Sequence, residues 1–229
     1  MIFRRIHRKI HKALHPVIGE IWMLHRVVEQ RSEDPKQREL EVTPEWLEQE
    51  INDYRAHGWH FVPIDAMPKR GRWVCLTFDD GYQDNYSLAY PLLERLGVPF
   101  CLYVTTGFID NRLPMWWYPN KQLGISGKEL KDIDSDPLCT IGAHTVSHPK
   151  LDTLSREQQY QEIENSKQEL EHMLGHPVKH FSFPHGANNL DTLDICRELG
   201  FSTVTQSWGG PLRHREHLWP MPRIDKKQP

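Results

Sequence analysis

The sequence predicts an α/β fold built on a mostly parallel sheet. Short apolar runs rich in strand-forming residues alternate with helix-like segments along most of the chain, and buried strands separated by helices are typical of parallel sheets. The 229 residues suffice for one sizeable core, and 38% hydrophobic with 26% charged residues is ordinary for a soluble globular protein. Periodicity alone leaves two architectures open, a doubly wound sheet and a closed barrel.

The predicted elements follow one another in a regular order. The segment Thr43–Glu45 starts a helix, with a capping residue, a proline in the first position and an acid in the first turn, and Gly58 ends it. Ser155 and Gln158 have the spacing of a capping box and start a longer helix that ends at Gly175. The other predicted elements are strands at 73–78, 100–104, 139–143, 181–183 and 201–205, and helices at about 85–96 and 192–199.

Two of these strands end in residues that suit metal chemistry. Strand 73–78 runs into Asp79 and Asp80, and adjacent carboxylates at a strand end repel each other unless a cation lies nearby. Strand 139–143 runs into His144, four residues before His148, and imidazoles at this spacing in a turned segment can face one point and bind a divalent ion. Each pair alone is also typical of a solvated turn. Together they favour a metal site.

A third strand, 181–183, runs into a tight turn formed by Pro184, His185 and Gly186. The backbone amides of such a turn can point into a cleft, as an oxyanion-binding site requires. Between the two predicted metal-binding histidines, the side chains of Thr145 and Ser147 are expected to hydrogen-bond the outer ring nitrogens.

Composition narrows the function classes. A net charge of -3 provides no broad basic surface, so nucleic acid is excluded as an expected partner. The four cysteines are scattered without a CxxC pair and predict reduced thiols in the core. No apolar run is long enough for a membrane span, and basic residues interrupt any signal-peptide core near the N-terminus. We therefore expect a cytoplasmic protein.

The motifs resemble those of a known family. Thr77–Gly81, then His144 with His148, then Phe183–Gly186 are similar in order and spacing to the first three motifs of the NodB-homology, or polysaccharide deacetylase, family (carbohydrate esterase family 4). The likeness extends over about residues 20–225. It implies an irregular (β/α) barrel of about seven mostly parallel strands. It also implies a metal-dependent hydrolase that removes N-acetyl groups from an amino-sugar polysaccharide, oligosaccharide or glycolipid.

The resemblance assigns roles by position. Asp79 is expected to be the catalytic base, while Asp80, His144 and His148 are expected to hold one divalent ion, usually Zn²⁺, with Ni²⁺, Co²⁺ or Fe²⁺ as alternatives. The backbone N–H of His185 is expected to bind the oxyanion. The remaining expected substrate contacts are Pro184 and Gly186, and the aromatic residues Trp116, Trp117 and Tyr118.

The aromatic residues belong to the least regular stretch of the sequence, 107–138, which indicates a functional loop or an inserted segment. Flat apolar rings match the C–H face of a sugar ring, so the cluster predicts substrate stacking. An alternative is that the rings fold the loop back onto the barrel.

The likeness departs from the family pattern at two places. Ser182 and His185 stand where the third motif often has an arginine and an aromatic residue, and no segment after Gly210 matches the usual C-terminal histidine motif. One branch of the family instead has its acid near the N-terminus, in a strand similar to 21–27 of this chain, which implies that His25 is the acid. Arg223 resembles the C-terminal arginine of that branch and is expected to face Asp79.

Two further functions are compatible with these motifs. One is a deformylase or amidase acting on a lipid-linked or non-sugar amide, which would release a different acid. The other is a catalytically silent sugar-binding relative. The complete set of two carboxylates and two histidines counts against the silent protein, because a pure binder has no need for a free carboxylate beside a metal.

The N-terminal residues 1–19 differ in composition from the catalytic domain predicted for 20–229. Their apolar residues recur at spacings of three and four, as in a helix with one apolar stripe, and five basic residues lie mostly off that stripe: Arg4, Arg5, Arg8, Lys9 and Lys12. A basic amphipathic helix is typical of a peripheral contact with an anionic membrane, here at the inner face. The alternative is that the stripe packs on the barrel.

Overall fold

The computed structural model describes residues 17–118, 121–213 and 219–229. The strands are β1 (Glu20–Leu24), β2 (Arg26–Val27), β3 (Glu41–Val42), β4 (His60–Phe61), β5 (Trp73–Phe78), β6 (Phe100–Val104), β7 (Cys139–Ala143), β8 (His180–Ser182), β9 (Thr203–Gly209) and β10 (Met221–Asp225). The α-helices are α1 (Pro35–Arg38), α2 (Pro44–Ala56), α3 (Tyr90–Leu96), α4 (Gly127–Asp134), α5 (Arg156–Leu174) and α6 (Leu190–Glu198).

Seven parallel strands close into a barrel in the order β1-β5-β6-β7-β8-β9-β10. Closure depends on β1, which pairs with β5 over its whole length and with β10 through Trp22 and Met23. The short strand β4 pairs with the start of β5, and β2 pairs with β3 in a separate ribbon. The predicted (β/α) barrel is confirmed, and the doubly wound alternative is excluded.

Side chains alternate between two cores along the barrel strands, because successive residues of a strand point to opposite faces. On β5, Trp73 and Cys75 belong to the cluster that also contains Cys101 and Tyr103 of β6. The intervening Val74, with Leu76 and Phe78, packs in the larger cluster that includes the helices. All four cysteines are buried and free, as predicted.

Local sequence signals account for most element boundaries. The side chain of Thr43 accepts a hydrogen bond from the backbone of Trp46 at the start of α2, and Ser155 and Gln158 form the predicted capping box of α5. Strands β5, β6 and β7 have the predicted bounds. The predicted helix at 85–96 begins instead with a π-helical turn, Asn85–Ala89, before α3.

Helix α4 and strand β10 are among the elements that were not predicted. Helix α4 lies inside the stretch expected to be irregular, and it begins with a capping box formed by Ser126 and Glu129. Strand β10 contains Pro222, which has no N–H to donate to a neighbouring strand. Its pairing with β9 shifts register between Met221 and Arg223.

The amphipathic pattern predicted for 1–19 lies mostly outside the described residues, which begin at 17. Gly19 pairs with Leu212 immediately before β1. In the described part of the chain, no helix has the length and apolar character needed to cross a membrane.

Candidate active site

The polar motifs meet at the carboxyl ends of the barrel strands, where parallel (β/α) barrels carry their active sites. A cavity of about 320 Å³ opens there. Its walls come from β1 and β9, from the segments that follow β1, β5, β6, β7 and β8, and from the residue that precedes β3. Its lining consists of Met23, His25, Leu40, Asp79, Asp80, Trp116, Trp117, His144, His148, His185 and Ser207.

Asp80, His144 and His148 form a buried cluster in this cavity, with one ligand atom from each lying within 4.8 Å of the others. Oδ1 of Asp80 is 3.5 Å from Nε2 of His144 and 3.2 Å from Nε2 of His148. Asp80 Oδ1 is buried without a hydrogen-bond partner. One carboxylate oxygen and two imidazole nitrogens are a donor set that suits a divalent transition metal.

The backbone around the cluster holds these side chains in place. Nδ1 of His144 lies 2.7 Å from the carbonyl oxygen of Ser182, which accepts its hydrogen, so Nε2 faces Asp80 as the candidate ligand atom. The backbone N–H of His148 donates to Oγ1 of Thr145 at 3.1 Å. The hydroxyl of Ser147 donates to Glu162 instead of to an imidazole. The expectation that Thr145 and Ser147 bond the outer ring nitrogens is therefore wrong.

Glu162 of α5 fixes the loop between the two histidines. Its carboxylate accepts the backbone N–H groups of Val146 and Ser147, both at 2.9 Å, and the hydroxyl of Ser147 at 2.6 Å. Three hydrogen bonds to one charged acceptor restrain a loop in which Thr145 and His148 both have positive φ angles. Glu162 was not predicted from the sequence, since no local signal distinguishes it from the other glutamates of this charged helix.

Asp79 is paired with Arg223 from the last barrel strand. The guanidinium donates from Nη1 to Oδ1 and from Nη2 to Oδ2, both at 2.6 Å, and both side chains are buried. Nη1 also donates to Oγ1 of Thr77 at 3.0 Å and Nη2 to Oγ of Ser182 at 2.7 Å. The expected contact between Arg223 and Asp79 is thus present, and Ser182 supports the arginine from the third motif.

The two adjacent carboxylates are kept ionised by different neighbours. Burial alone would raise the pKa of Asp79, but the Arg223 cation, with a smaller contribution from His144, holds that pKa below its usual range. Burial would likewise raise the pKa of Asp80, and the adjacent His148 and His144 hold it well below the usual range. Both groups are therefore carboxylates at neutral pH.

His25 lies in the cavity wall at the end of β1, near both carboxylates. Its backbone carbonyl accepts a hydrogen bond from Nδ2 of Asn85 at 2.8 Å. The next residue, Arg26, donates from Nε to Asp84 at 2.7 Å, and the backbone N–H of Val27 donates to the other oxygen of Asp84 at 3.2 Å. Asp84 and Asn85 therefore fix the segment that presents His25. Sequence analysis missed them, although an arginine inside a strand-like segment signals a buried acidic partner.

The turn after β8 brings His185 to the cavity. The φ angles of His185 and Gly186 are 57° and 65°, and a Cβ at Gly186 would lie 2.2 Å from the ring of Trp208. Glycine is required there by both conformation and space. Burial, together with His148 and His144, lowers the pKa of His185 to about 4. Pro184 is buried behind the turn.

The three aromatic residues predicted to bind substrate separate in the structure. Trp116 is 68% exposed and lines the cavity. Trp117 also lines it, with its ring centroid 4.8 Å from that of His148 and its Nε1–H donating to the Tyr82 hydroxyl at 2.7 Å. Tyr118 is 1% exposed and does not line the cavity. The prediction that Tyr118 contacts substrate is therefore corrected.

Tyr118 instead anchors the loop, which was the alternative considered for the cluster. Its hydroxyl donates to Glu41 of β3 at 3.0 Å, and its ring lies 4.8 Å from the Arg26 guanidinium. A buried tyrosine needs a partner for its hydroxyl, and this one has a carboxylate.

The fold and the site together define the class of protein, a hydrolase-type (β/α) barrel. Its site combines the Asp79–Arg223 ion pair with the neighbouring cluster of Asp80, His144 and His148. The family model for polysaccharide deacetylases matches residues 66–204, which is more than half of the 229 residues. The chain belongs to the polysaccharide deacetylase family.

Individual relatives agree with this assignment. YxkH of Bacillus subtilis, whose name assigns it to the polysaccharide deacetylases, is 24% identical over 217 residues, covering 93% of this chain and 73% of the relative. A poly-β-1,6-N-acetyl-D-glucosamine N-deacetylase of Staphylococcus aureus is 24% identical over 176 residues. That match covers 69% of this chain and 58% of the S. aureus enzyme.

Solved structures share the fold. The deacetylase PplD of Streptococcus pyogenes, in complex with acetate, superposes with a TM-score of 0.78 at 24% identity, covering 93% of each chain. IcaB from Ammonifex degensii superposes with a TM-score of 0.78 at 20% identity, again covering 93% of each chain.

Proposed function

We propose that this protein is a metal-dependent N-deacetylase acting on an amino-sugar polysaccharide, oligosaccharide or glycolipid, with residues 20–229 as its catalytic domain. The observation that carries the proposal is the unpartnered Oδ1 of Asp80, buried between the Nε2 atoms of His144 and His148. A buried carboxylate oxygen without a partner costs free energy unless something positive binds it. Asp79, the adjacent carboxylate, is already paired with Arg223.

A divalent ion fits these donors, and Zn²⁺ is the proposed native metal because it favours mixed imidazole and carboxylate ligands. Asp80, His144 and His148 would hold it. When bound, such an ion supplies a Lewis acid that polarises an amide carbonyl and acidifies water. Three protein ligands leave room for substrate and water, which is the arrangement of catalytic rather than structural sites.

Asp79 is the proposed base that takes the proton of the attacking water. Each carboxylate oxygen has about two lone-pair sites, and Arg223 uses one on each oxygen, so both oxygens retain acceptor capacity toward the cavity. Arg223 also keeps Asp79 ionised through its charge. We therefore assign Arg223 as the residue that positions the base and maintains its charge.

His25 is the proposed acid that protonates the leaving sugar amine. It lines the same cavity as Asp79, and histidine is the side chain that most often serves as a general acid in catalysis. The backbone N–H of His185 is proposed to bind the carbonyl oxygen as negative charge develops there. Gly186 and Pro184 give the turn its shape.

Trp116 and Trp117 are the proposed sugar contacts. Trp117 forms the cavity wall against His148, while Trp116 leaves most of its ring open to solvent. The relative that acts on poly-β-1,6-N-acetyl-D-glucosamine supports N-acetylglucosamine as the reacting unit. We therefore propose β-linked N-acetylglucosamine oligomers as the first substrates to test.

The decisive experiment combines metal analysis with identification of the released acid. The purified protein, loaded with Zn²⁺, is incubated with β-1,6-linked and β-1,4-linked N-acetylglucosamine pentamers, and acetate is quantified. We expect one equivalent of bound metal and acetate release that stops on chelation. Bound metal without acetate would contradict the sugar deacetylase, and formate from an N-formyl substrate would then favour the deformylase. Neither metal nor acid release would indicate a sugar-binding relative.

Two substitutions separate metal binding from proton transfer. Asp80→Ala is expected to lose metal while the fold survives, because it removes the only carboxylate of the cluster. Asp79→Asn is expected to keep the metal and lose turnover by about 10²–10⁴, since an amide cannot accept the proton of water. Metal content by emission spectroscopy and acetate release check both. Full metal occupancy in Asp80→Ala, or near-native turnover in Asp79→Asn, would refute the corresponding role.

A further inference from the structure

Trp208 is a large aromatic side chain near the site that none of the roles above uses. It lies near the end of β9 and is 52% exposed. A single exposed apolar residue is ordinary on a protein surface, so exposure alone implies nothing. Its surroundings are more informative. The preceding residue, Ser207, lines the cavity.

The backbone is shaped to receive the Trp208 ring. A Cβ atom at Gly186 would lie 2.2 Å from Cζ3 and 2.7 Å from Cε3 of Trp208, so the six-membered part of the indole rests directly on the glycine. Gly186 immediately follows His185, which lines the cavity. The ring is therefore seated on the outer rim of the mouth, held on one side by the third motif while half of its surface remains open.

Trp208 and Trp116 are carried by different parts of the barrel. Trp116 belongs to the loop that follows β6, whereas Trp208 lies on β9. In the ring β1-β5-β6-β7-β8-β9-β10, two strands separate β6 from β9 in one direction and three in the other. No two strands of a seven-stranded ring are further apart. The two tryptophans that are more than half exposed in the described part of the chain thus come from well-separated parts of the barrel.

We propose that Trp208 binds a second sugar residue of the substrate, by contact between its open ring surface and the apolar C–H face of that sugar. With one acetamide in the cavity, an amino-sugar oligomer then extends over the rim to Trp208. The substrate class is accordingly an oligomer or polymer of linked amino sugars rather than a single sugar unit. This inference rests on the proposed function.

Binding titrations test the proposal without turnover. The Asp79→Asn protein and its Trp208→Ala derivative are titrated by calorimetry with N-acetylglucosamine and with its β-1,6-linked and β-1,4-linked pentamers. The measured quantity is the affinity ratio of pentamer to single sugar. We expect this ratio to fall about three- to tenfold in the Trp208→Ala derivative, the usual contribution of one aromatic contact.

Two further derivatives distinguish stacking from a merely structural role. Trp208→Phe retains a flat ring and is expected to keep most of the pentamer preference, whereas Trp208→Leu retains apolar volume without a ring and is expected to lose it. Thermal unfolding of each variant reports any loss of packing on Gly186. If all variants prefer the pentamer equally, or if the Asp79→Asn protein has no preference for either pentamer, the proposal fails.

Outcomes for this proposal and for the proposed function are separable. A pentamer preference that depends on Trp208, without acetate release by the unsubstituted protein, supports the subsite and contradicts N-deacetylation. Acetate release from N-acetylglucosamine units, without any preference for longer oligomers, supports N-deacetylation and contradicts the Trp208 subsite.

Discussion

At the scale of single residues, the site depends on two neighbouring aspartates with different partners. Asp80 has a φ angle of 77°, a left-handed conformation that costs a non-glycine residue of the order of 1 kcal/mol. This turn separates the two side chains, so Asp79 meets Arg223 while Asp80 meets the histidines. We infer that the strained conformation of Asp80 is retained because the two carboxylates would repel each other more strongly if both pointed in the same direction.

The Arg223 pair makes a prediction about pH. Asp79 must be ionised to act as a base, and Arg223 holds its pKa below the usual range, so activity should persist to low pH and fall only as pH drops through that lowered value. Removing the cation in Arg223→Gln raises the pKa of Asp79, because only the smaller contributions of neighbouring histidines then oppose burial. The acidic limb of the kcat/KM profile should therefore move to higher pH.

Arg223→Lys provides the matched comparison. Lysine retains the charge but not the paired donors, so its acidic limb should lie between those of the unsubstituted protein and Arg223→Gln. Profiles of kcat/KM for acetate release between pH 4 and 9, with metal content checked at each pH, measure the shift. An unmoved acidic limb in Arg223→Gln would mean that Asp79 is not the group that titrates.

At the scale of elements, a buried ionic network joins the segment bearing His25 to the aromatic loop. Arg26 of β2 donates to Asp84 at 2.7 Å and to Glu41 of β3 at 3.1 Å. Its guanidinium lies 4.8 Å from the Tyr118 ring, and Tyr118 in turn donates to Glu41. One arginine thus links β2, β3 and the loop that carries Trp116.

Arg26→Met should destabilise the fold strongly. It removes the cation and leaves two buried carboxylates, Asp84 and Glu41, without their partner, a loss that typically costs about 3–5 kcal/mol. Denaturant unfolding measures the change. Arg95→Met is the matched control, since it breaks only the exposed pair with Glu48, which solvent screens, and should change stability little. Equal, small losses in both variants would show that the buried network does not stabilise this region.

The same elements show what a sequence can and cannot predict. Strands β5, β6 and β7 and the capped helices were predictable because their signals are local: apolar runs, N-caps and glycines. The cluster of Asp80, His144 and His148 was predictable because its residues follow closely after two of those strands. The Arg26–Asp84 pair, 58 residues apart, and the three-bond clamp of Glu162 were not predictable, since only the folded topology brings their partners together. The contact of Arg223 with Asp79, 144 residues apart, came from family resemblance alone.

At the scale of the whole molecule, the site and the start of β1 lie at opposite ends of the barrel. The cavity lies at the carboxyl ends of the strands, whereas Gly19 enters β1 at its amino end, beside Trp73 at the start of β5. Residues preceding β1 therefore join the barrel at the end opposite the mouth. We propose that residues 1–19 make a peripheral contact with an anionic membrane, which would tether the enzyme at its surface.

The proposed tether predicts binding to anionic vesicles. Each basic residue near an anionic leaflet contributes about 1 kcal/mol, and salt screens the attraction. The full chain should float with vesicles containing phosphatidylserine at low salt, and less so at high salt or with uncharged lipid. Replacing three of the five basic residues (Arg8→Gln, Lys9→Gln and Lys12→Gln) should reduce flotation, while Lys69→Gln with Arg70→Gln, outside this segment, should not. If the full chain stays soluble with every lipid, the apolar stripe of 1–19 packs on the protein and the membrane proposal fails.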